Sequence, residues 1–167
     1  LRRRRTIRRY TDENLTDEQI NALLEAALLA PSYLGRKPGH LIVIRRKDLQ
    51  ERLGTILSVR PYVQQAAALV ALLGDPEISN SWEVDLAAAA ENILLAATGM
   101  GLGSTWVGNP YGIAWEDREK EIRQVFHIPE SIRVFGFIAI GYPAERIEPH
   151  TKEDVWDETR IHYDQFS

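Results

Sequence analysis

The sequence predicts one three-layer domain over residues 1–167, of the α+β or α/β class, in which helices flank a central sheet. Helix and strand signals alternate along the chain, and the sheet need not be purely parallel. A length of 167 residues with 44% hydrophobic content suits one domain with a substantial core. Residues 85–108 form the most apolar stretch and end in the densest group of glycines. We expect them to supply the central helix.

The first elements are a helix, a loop and a strand. Thr16 and Gln19 form a capping box at the start of a helix with one apolar stripe, and Pro31 ends it. Segment 31–39 (PSYLGRKPG) is rich in turn-forming residues, which predicts a loop. Residues 40–44 are rich in branched side chains, which predicts a strand.

The middle of the chain carries the central helix. A helix is predicted from Asp48, and the apolar run 66–73 predicts a buried strand. The helix from Asp85 has apolar side chains on nearly every face, which predicts a helix buried all round. Three glycines within residues 99–103 end it, and their bare backbone suits the close approach of a ligand.

The last elements lead into a polar tail. A short strand is predicted over residues 104–107, followed by a loop over 109–114 and an amphipathic helix that ends before Pro129. Residues 134–142 give the strongest strand signal. Four apolar residues beyond them are spaced too widely to form a core, so we expect them to pack on another surface such as a partner subunit: Trp156, Ile161, Tyr163 and Phe166.

Composition excludes several classes of site and protein. The chain has no cysteine, which removes disulfides, thiol nucleophiles and thiolate metal sites. Its four histidines lack the spacing of metal ligands, so we expect no metal. No run is apolar enough to span a membrane, and no apolar stretch follows the N-terminal arginines as in a signal peptide. We therefore expect a cytoplasmic protein.

Positive charge is concentrated at the N-terminus. The chain has 20 basic and 24 acidic residues, and six of the basic ones fall within its first nine positions: Arg2, Arg3, Arg4, Arg5, Arg8 and Arg9. Because Arg4 and Arg8 are four residues apart, a helix or a strand places both on one face, where an anion relieves their repulsion. Phosphate suits guanidinium groups and the hydroxyl of Thr6. Two alternatives stay open, a solvated basic terminus and a nucleic-acid-binding arm, although the acidic remainder disfavours the second.

The glycine cluster does not have the context of a dinucleotide fingerprint. That fingerprint needs a strand before the glycines and a helix after them, whereas here the helix comes first and Ser104 follows Gly103. Ser32 and Ser104 lack the setting of a catalytic nucleophile. With no self-sufficient catalytic group in the sequence, a bound cofactor is favoured as the source of the chemistry.

Five blocks, taken in order, resemble the nitroreductase family of FMN enzymes. They span nearly the whole chain: residues 4–10 (RRTIRRY), 30–32 (APS), 40–44 (HLIVI), 85–108 (DLAAAAENILLAATGMGLGSTWVG) and 138–143 (IAIGYP). The resemblance implies a mixed central sheet and a homodimer with two FMN sites at the subunit interface. It also implies electron transfer from NADH or NADPH through the flavin to a small acceptor such as a nitroaromatic or a quinone.

The resemblance also assigns the residues around the cofactor. It implies that the flavin phosphate and ring edge are held by Arg4, Arg5, Thr6 and Arg8, and that a turn from the second subunit approaches the flavin with Pro31, Ser32, Tyr33 and Gly35. Backbone amides of the later strand would face the ring at Trp106, Val107 and Gly108, with Gly108 the donor to the reactive ring nitrogen. A basic residue near the C-terminus, Arg160 or Lys152, would complete the phosphate site. No side chain is assigned as a catalytic acid or base.

The chain departs from the family pattern in the turn. Gly35, Lys37, Pro38 and Gly39 stand where the family often has Asn, Gln, Pro and an aromatic residue. Side-chain contacts from this turn to the flavin are therefore in question. The departure keeps open a second interpretation, a protein that binds flavin as a carrier or sensor without turnover. The chain is also short for the family, which implies a minimal cover over the substrate pocket.

Overall fold

The structure is a computed structural model, and it describes residues 1–108, 110–112 and 114–166, with the exception of the Arg60 side chain. Helices and strands alternate as the sequence predicts. In chain order the main elements are α1 (Asp17–Leu28), β1 (Gly39–Ile44), α2 (Lys47–Ile56), α3 (Arg60–Gln65), β2 (Ala68–Gly74), α4 (Trp82–Gly99), β3 (Gly103–Val107), α5 (Trp115–Phe126) and β4 (Arg133–Gly141). Short 3₁₀ helices cover Tyr33–Gly35 and Glu158–Arg160.

The sheet has the strand order β1-β2-β4-β3, and all three ladders are antiparallel. A parallel pairing occurs at the single bridge between Thr6 and Ser104, on the outer side of β3. The α+β class is thus confirmed, and in the described part of the chain the mixed character of the expected sheet is limited to that bridge.

Helices cover both faces of the sheet, which confirms the three-layer arrangement. One apolar core lies between the sheet and helices α1 and α4, with Leu23, Leu86 and Ile93 at its centre. The second core lies on the opposite face beneath α2, α3 and α5, and includes Leu53 and Ile122. Because both faces are covered, β2 and β4 are apolar over nearly their whole length.

Helix α1 begins as predicted. The hydroxyl of Thr16 accepts a hydrogen bond from the Gln19 N–H at 3.2 Å, and the Gln19 side chain accepts one from the Thr16 N–H at 3.0 Å. Helix α3, by contrast, is absent from the sequence prediction. It has only six residues and begins with Pro61 in its first turn, a position where proline needs no hydrogen-bond partner for its nitrogen.

Helix α4 is buried on one side only, so the prediction of burial all round is wrong for the isolated chain. Val84 is 71% exposed, Glu91 is exposed, and Ala88 and Leu95 are half-buried. These four residues are spaced by four, three and four positions, which places them along one stripe of the helix. We call residues 84, 88, 91 and 95 the α4 stripe. The sheet and α1 cover the other side and leave this stripe to the outside.

The space beside Gly103, the glycine that begins β3, is occupied by another part of the same chain. A Cβ on Gly103 would lie 2.7 Å from Cγ2 of Ile7, and its ladder partner Gly141 would place a Cβ 3.0 Å from the ring of Tyr10. The expectation that these glycines admit a ligand is therefore wrong at Gly103. Its missing side chain makes room for the N-terminal segment, which we call the arginine arm (residues 2–9).

The C-terminal tail, residues 144–166, runs back along the arginine arm and then extends outward. The Ala144 N–H donates to the Arg9 carbonyl at 2.9 Å, and the His150 N–H donates to the Arg2 carbonyl at 3.0 Å. Beyond this point most apolar side chains are exposed, with Tyr163 at 79% and Phe166 at 92%, whereas Ile161 is half-buried. As the sequence predicts, these exposed side chains form no core of their own.

Within the described ranges, none of the helices has the length and apolar character needed to cross a lipid bilayer.

Candidate functional site

The arginine arm lies against the outer edge of β3, so two of the predicted site segments are adjacent. The Ile7 N–H donates to the Ser104 carbonyl at 3.0 Å, beside the bridge between Thr6 and Ser104. The Ile7 carbonyl accepts hydrogen bonds from the hydroxyls of Tyr10, at 2.7 Å, and Thr105. These bonds fix the backbone of the arm while its arginine side chains project from it.

Tyr10 is a structural anchor of this arrangement. Burial raises the pKa of its phenol well above the ordinary value, and nearby Glu145 acts in the same direction. The phenol therefore stays protonated and continues to donate to the Ile7 carbonyl across the accessible pH range.

Thr6 and Arg8 share a cavity of about 530 Å³. The guanidinium carbon of Arg8 lies 5.8 Å from the centre of the Tyr62 ring on α3, within the range of a cation–π contact. Glu145 accepts hydrogen bonds from the backbone N–H groups of Arg8, at 2.7 Å, and Arg9, at 3.2 Å. The cavity thus offers a hydroxyl and a guanidinium group held by neighbouring residues.

The other two predicted arginines point elsewhere. Arg4 Nε lies 3.8 Å from the Glu91 carboxylate on α4. Arg5 donates to the Glu148 carbonyl in the tail and lines a separate cavity of about 360 Å³. Arg4 therefore contacts the α4 layer, whereas Arg8 contacts the α3 layer. That both bind one phosphate stays a prediction.

The predicted ring-binding segment occupies the end of β3. Since the Ser104 carbonyl faces the arm, alternation along a strand directs the backbone of Trp106 to the same outer edge and that of Val107 toward β4. Gly108 has φ of +98°, a conformation that favours glycine. It lines a cavity of about 300 Å³ together with Trp115. Trp106 and Gly108 are thus placed better than Val107 to offer backbone groups to a ligand.

The predicted turn over residues 31–39, which we call the Pro31 turn, lies at the other edge of the sheet. It precedes β1, whereas Gly108 follows β3, and β2 and β4 lie between them. Three strand spacings amount to about 14 Å. One chain therefore does not bring Pro31, Ser32, Tyr33 and Gly35 to the arm and Gly108.

The Pro31 turn is held by hydrogen bonds within the turn and by one to α4. Ser32 Oγ accepts from the Lys37 N–H at 3.0 Å, and the Tyr33 N–H donates to the Asp85 carboxylate on α4 at 2.8 Å. Tyr33 is half exposed and Leu34 is 72% exposed, so the tip of the turn faces outward.

Arg160 lies in the exposed tail, within the 3₁₀ helix Glu158–Arg160. It comes after the contacts that hold residues 144–150 to the arginine arm. Lys152, the other candidate, has its Nζ 4.7 Å from the centre of the Trp156 ring. Their predicted contact with a phosphate stays a prediction.

Three residues of this region were not predicted as site residues. Tyr62 supports Arg8, Glu145 binds the arm backbone, and Asp85 holds the Pro31 turn. Pro61 ahead of Tyr62 is a helix-start signal that would have indicated α3. Asp85 begins the family-like block 85–108, but only the fold reveals that its carboxylate faces the turn.

Known proteins resemble this chain over nearly its whole length. A model described as "Nitroreductase family" matches residues 1–82 and 62–142. A protein of Archaeoglobus fulgidus named "Putative NADH dehydrogenase/NAD(P)H nitroreductase" is 35% identical and is matched over 98% of this chain and 94% of its own.

Solved structures agree with that match. An FMN-dependent nitroreductase from Clostridium difficile superposes with a TM-score of 0.93 at 29% identity, covering 99% of this chain and 98% of that one. A protein from Desulfovibrio desulfuricans solved in complex with FMN gives a TM-score of 0.79 at 28% identity, covering 93% and 91%. Sequence and fold agree, and the chain belongs to the nitroreductase family.

Proposed function

We propose that this protein is a homodimeric FMN-dependent oxidoreductase that passes electrons from NADH or NADPH to a small acceptor such as a nitroaromatic or a quinone. The observation that carries the proposal is the position of Thr6, which bridges to the edge of β3 that leads to Gly108 and shares its cavity with Arg8. Relatives that are FMN-dependent or contain FMN share this fold.

The residues present fit a flavin nucleotide. Cavities of about 530 Å³ beside Arg8 and about 300 Å³ beside Gly108 fall within the size range of small-molecule sites. The first contains a guanidinium and a hydroxyl, which suit a phosphate or the polar edge of a ring. Between them runs the outer edge of β3, where the Trp106 backbone is directed outward.

Each group has a defined role in this proposal. Arg8 and Thr6 bind the polar parts of the cofactor, Arg4 and Arg5 add positive charge, and Gly108 offers its N–H at the ring. Bound FMN would supply the redox chemistry, namely hydride acceptance from the nicotinamide and electron transfer to the acceptor. The residues of the chain orient the nicotinamide and the acceptor, so no side-chain acid or base is required.

A second copy of the chain would complete the site. The Pro31 turn lies about 14 Å from the Gly108 edge in one chain, as three strand spacings imply. The α4 stripe and the outer part of the tail leave apolar side chains exposed, including Val84, Trp156 and Phe166. Such surfaces are typical of a subunit interface. We infer that the partner covers them and brings its turn to the flavin.

The test is the visible absorption spectrum of the purified protein with FMN, before and after anaerobic addition of NADH or NADPH. We expect a protein-bound flavin band that bleaches with one of the donors. A protein that takes up no FMN would contradict the proposal.

The carrier or sensor interpretation remains the second candidate because Gly35 and Gly39 offer no side chains to a flavin. A turnover assay distinguishes the enzyme from the carrier. Sustained oxidation of NADH or NADPH with a quinone or nitroaromatic acceptor supports the enzyme, whereas flavin binding without turnover supports the carrier.

A further inference from the structure

The Pro31 turn has a backbone that requires outside support. Leu34, Gly35 and Lys37 have φ values of +52°, +69° and +51°. Glycine adopts this region freely, but leucine and lysine adopt it only where the surroundings enforce it. Two strained residues within four positions therefore indicate that something holds the turn.

Asp85 supplies that support from α4. It is 8% exposed, and its Oδ1 accepts the hydrogen bond from the Tyr33 N–H at 2.8 Å. Its Oδ2 lies 3.4 Å from the hydroxyl of Ser79, which is buried in the turn that precedes α4. A cavity of only about 60 Å³ remains between Asp85, Pro31 and Ser32, so the carboxylate lies directly beneath the turn.

The position of Asp85 on α4 favours this role. It lies in the first turn of the helix, where the helix dipole stabilises a carboxylate. A buried carboxylate needs hydrogen-bond donors. Of the two donors to the Asp85 carboxylate, the Tyr33 N–H makes the shorter bond and the Ser79 hydroxyl the longer one. Helix and turn thus stabilise each other through one bond.

We propose that Asp85 is a positioning residue, which holds the Pro31 turn in the conformation that a partner subunit's flavin site requires. The inference rests on the proposed function, because the turn meets a flavin only in the dimer. Asp85 itself lies beneath the turn and acts through the Tyr33 backbone rather than on the cofactor.

The first test compares two substitutions of Asp85 for FMN affinity and for the visible circular dichroism of the bound flavin. Asp85→Ala removes the acceptor, and we expect the FMN dissociation constant to rise about tenfold, with an altered dichroism. Asp85→Asn keeps an oxygen that accepts from the Tyr33 N–H, so we expect it to stay within about twofold of wild type. Thr16→Ala is the control, since it removes an acceptor for an N–H at the far end of α1.

A second pair removes the donor instead, in case Asp85→Ala does not fold. Ser32 is extended and Tyr33 is the first residue of the 3₁₀ helix, a position that accepts proline. Tyr33→Pro deletes the N–H and the side chain, whereas Tyr33→Ala deletes the side chain alone. We expect Tyr33→Pro to bind FMN at least fivefold more weakly than Tyr33→Ala, because only the proline variant lacks the bond to Asp85.

The outcomes are distinguishable. If the wild-type protein neither binds FMN nor dimerises, the proposed function fails. If it does both, the positioning role is overturned by an Asp85→Ala protein within twofold of wild type, by Asp85→Asn as weak as Asp85→Ala, or by equal affinity of the two Tyr33 variants.

Discussion

Arg8 is the arginine whose surroundings are best defined at the proposed cofactor site. Its guanidinium is placed by the Tyr62 ring, and it lines the same cavity as Thr6. Arg8→Ala should weaken FMN binding by about tenfold or more, because a charged hydrogen bond contributes roughly 1.5–3 kcal/mol. Fluorescence titration of FMN measures the change.

The control for Arg8 lies on the same arm. Arg2→Ala removes one positive charge from an exposed side chain that lies before the residues lining the cavities. Equal loss of affinity in both variants would show that general charge, rather than the Arg8 contact, holds the ligand. Arg4→Ala tests whether Arg4 binds the phosphate. Unchanged FMN affinity in this variant would show that the pair with Glu91 keeps Arg4 away from it.

Gly103 fixes the arm from the side of the sheet. An added Cβ would lie 2.7 Å from Cγ2 and 2.8 Å from Cβ of Ile7, a branched side chain with little freedom to move away. Gly103→Ala should therefore lower the free energy of unfolding by about 1–3 kcal/mol in urea titration. Gly99→Ala is the matched control, because nothing lies within 4 Å of its added Cβ. Adding Ile7→Ala to Gly103→Ala should restore part of the loss, and no restoration would show that the strain lies elsewhere.

At the scale of elements, α5 is joined to β4 by the buried carboxylate of Glu119. Arg133 donates to both of its oxygens at 2.9 Å, the Val134 N–H donates at 2.8 Å, and Arg123 lies 3.2 Å away. Burial alone would raise the pKa of Glu119, but these donors outweigh it and hold the pKa below its ordinary value. The carboxylate thus links the helix and the strand most strongly when ionised.

The lowered pKa of Glu119 fixes the sign of a pH effect. Its contribution to stability is present above the unfolded-state pKa of about 4.3 and is lost as the pH falls through the lower folded-state value. Glu119→Gln should lower the free energy of unfolding by about 3 kcal/mol at pH 7 and by less near pH 3. Urea titrations at the two pH values measure this. Glu121→Gln, on the exposed face of α5, should show no such difference. A Glu119→Gln loss that is equal at both pH values would contradict the assignment.

How far each element was predictable depends on whether its signal is local. The capping box of Thr16 and Gln19 is contained in four residues, and it forms as predicted. Helix α3 is too short to show an apolar period, so the sequence did not reveal it. Gly103 was expected to admit a ligand, but Ile7, nearly a hundred positions away, fills the space. Sequence spacing carries no information on such distant contacts.

At the scale of the whole molecule, the apolar character of α4 is explained only partly by its own chain. The stripe at Val84, Ala88, Glu91 and Leu95 faces outward, although the sequence predicts a fully buried helix. The expectation of a dimer came from the family resemblance, because hydrophobic pattern alone does not distinguish burial within a chain from burial between chains. The same reason explains the site: within one chain, the Pro31 turn lies at the opposite edge of the sheet from Gly108.

The exposed α4 stripe predicts a dimer that charged substitutions in the stripe disrupt. Val84→Glu together with Leu95→Glu should weaken the dimer at least tenfold and release FMN with it, because buried unpaired carboxylates oppose association. Analytical ultracentrifugation with detection at flavin wavelengths follows both. Gln124→Glu, on the exposed side of α5, should leave the dimer intact. A wild-type protein that sediments as a monomer with bound FMN would contradict the shared site.

The outer edge of β3 has a further consequence for the protein before it is loaded. Among the residues that the structure describes, only Thr6 bridges to this strand from outside, so the Trp106 end presents peptide groups of the kind that recruit strands from other molecules. Under the proposed function, cofactor and partner turn both come to rest here. Loading with FMN would then protect newly made chains from pairing with one another through this edge.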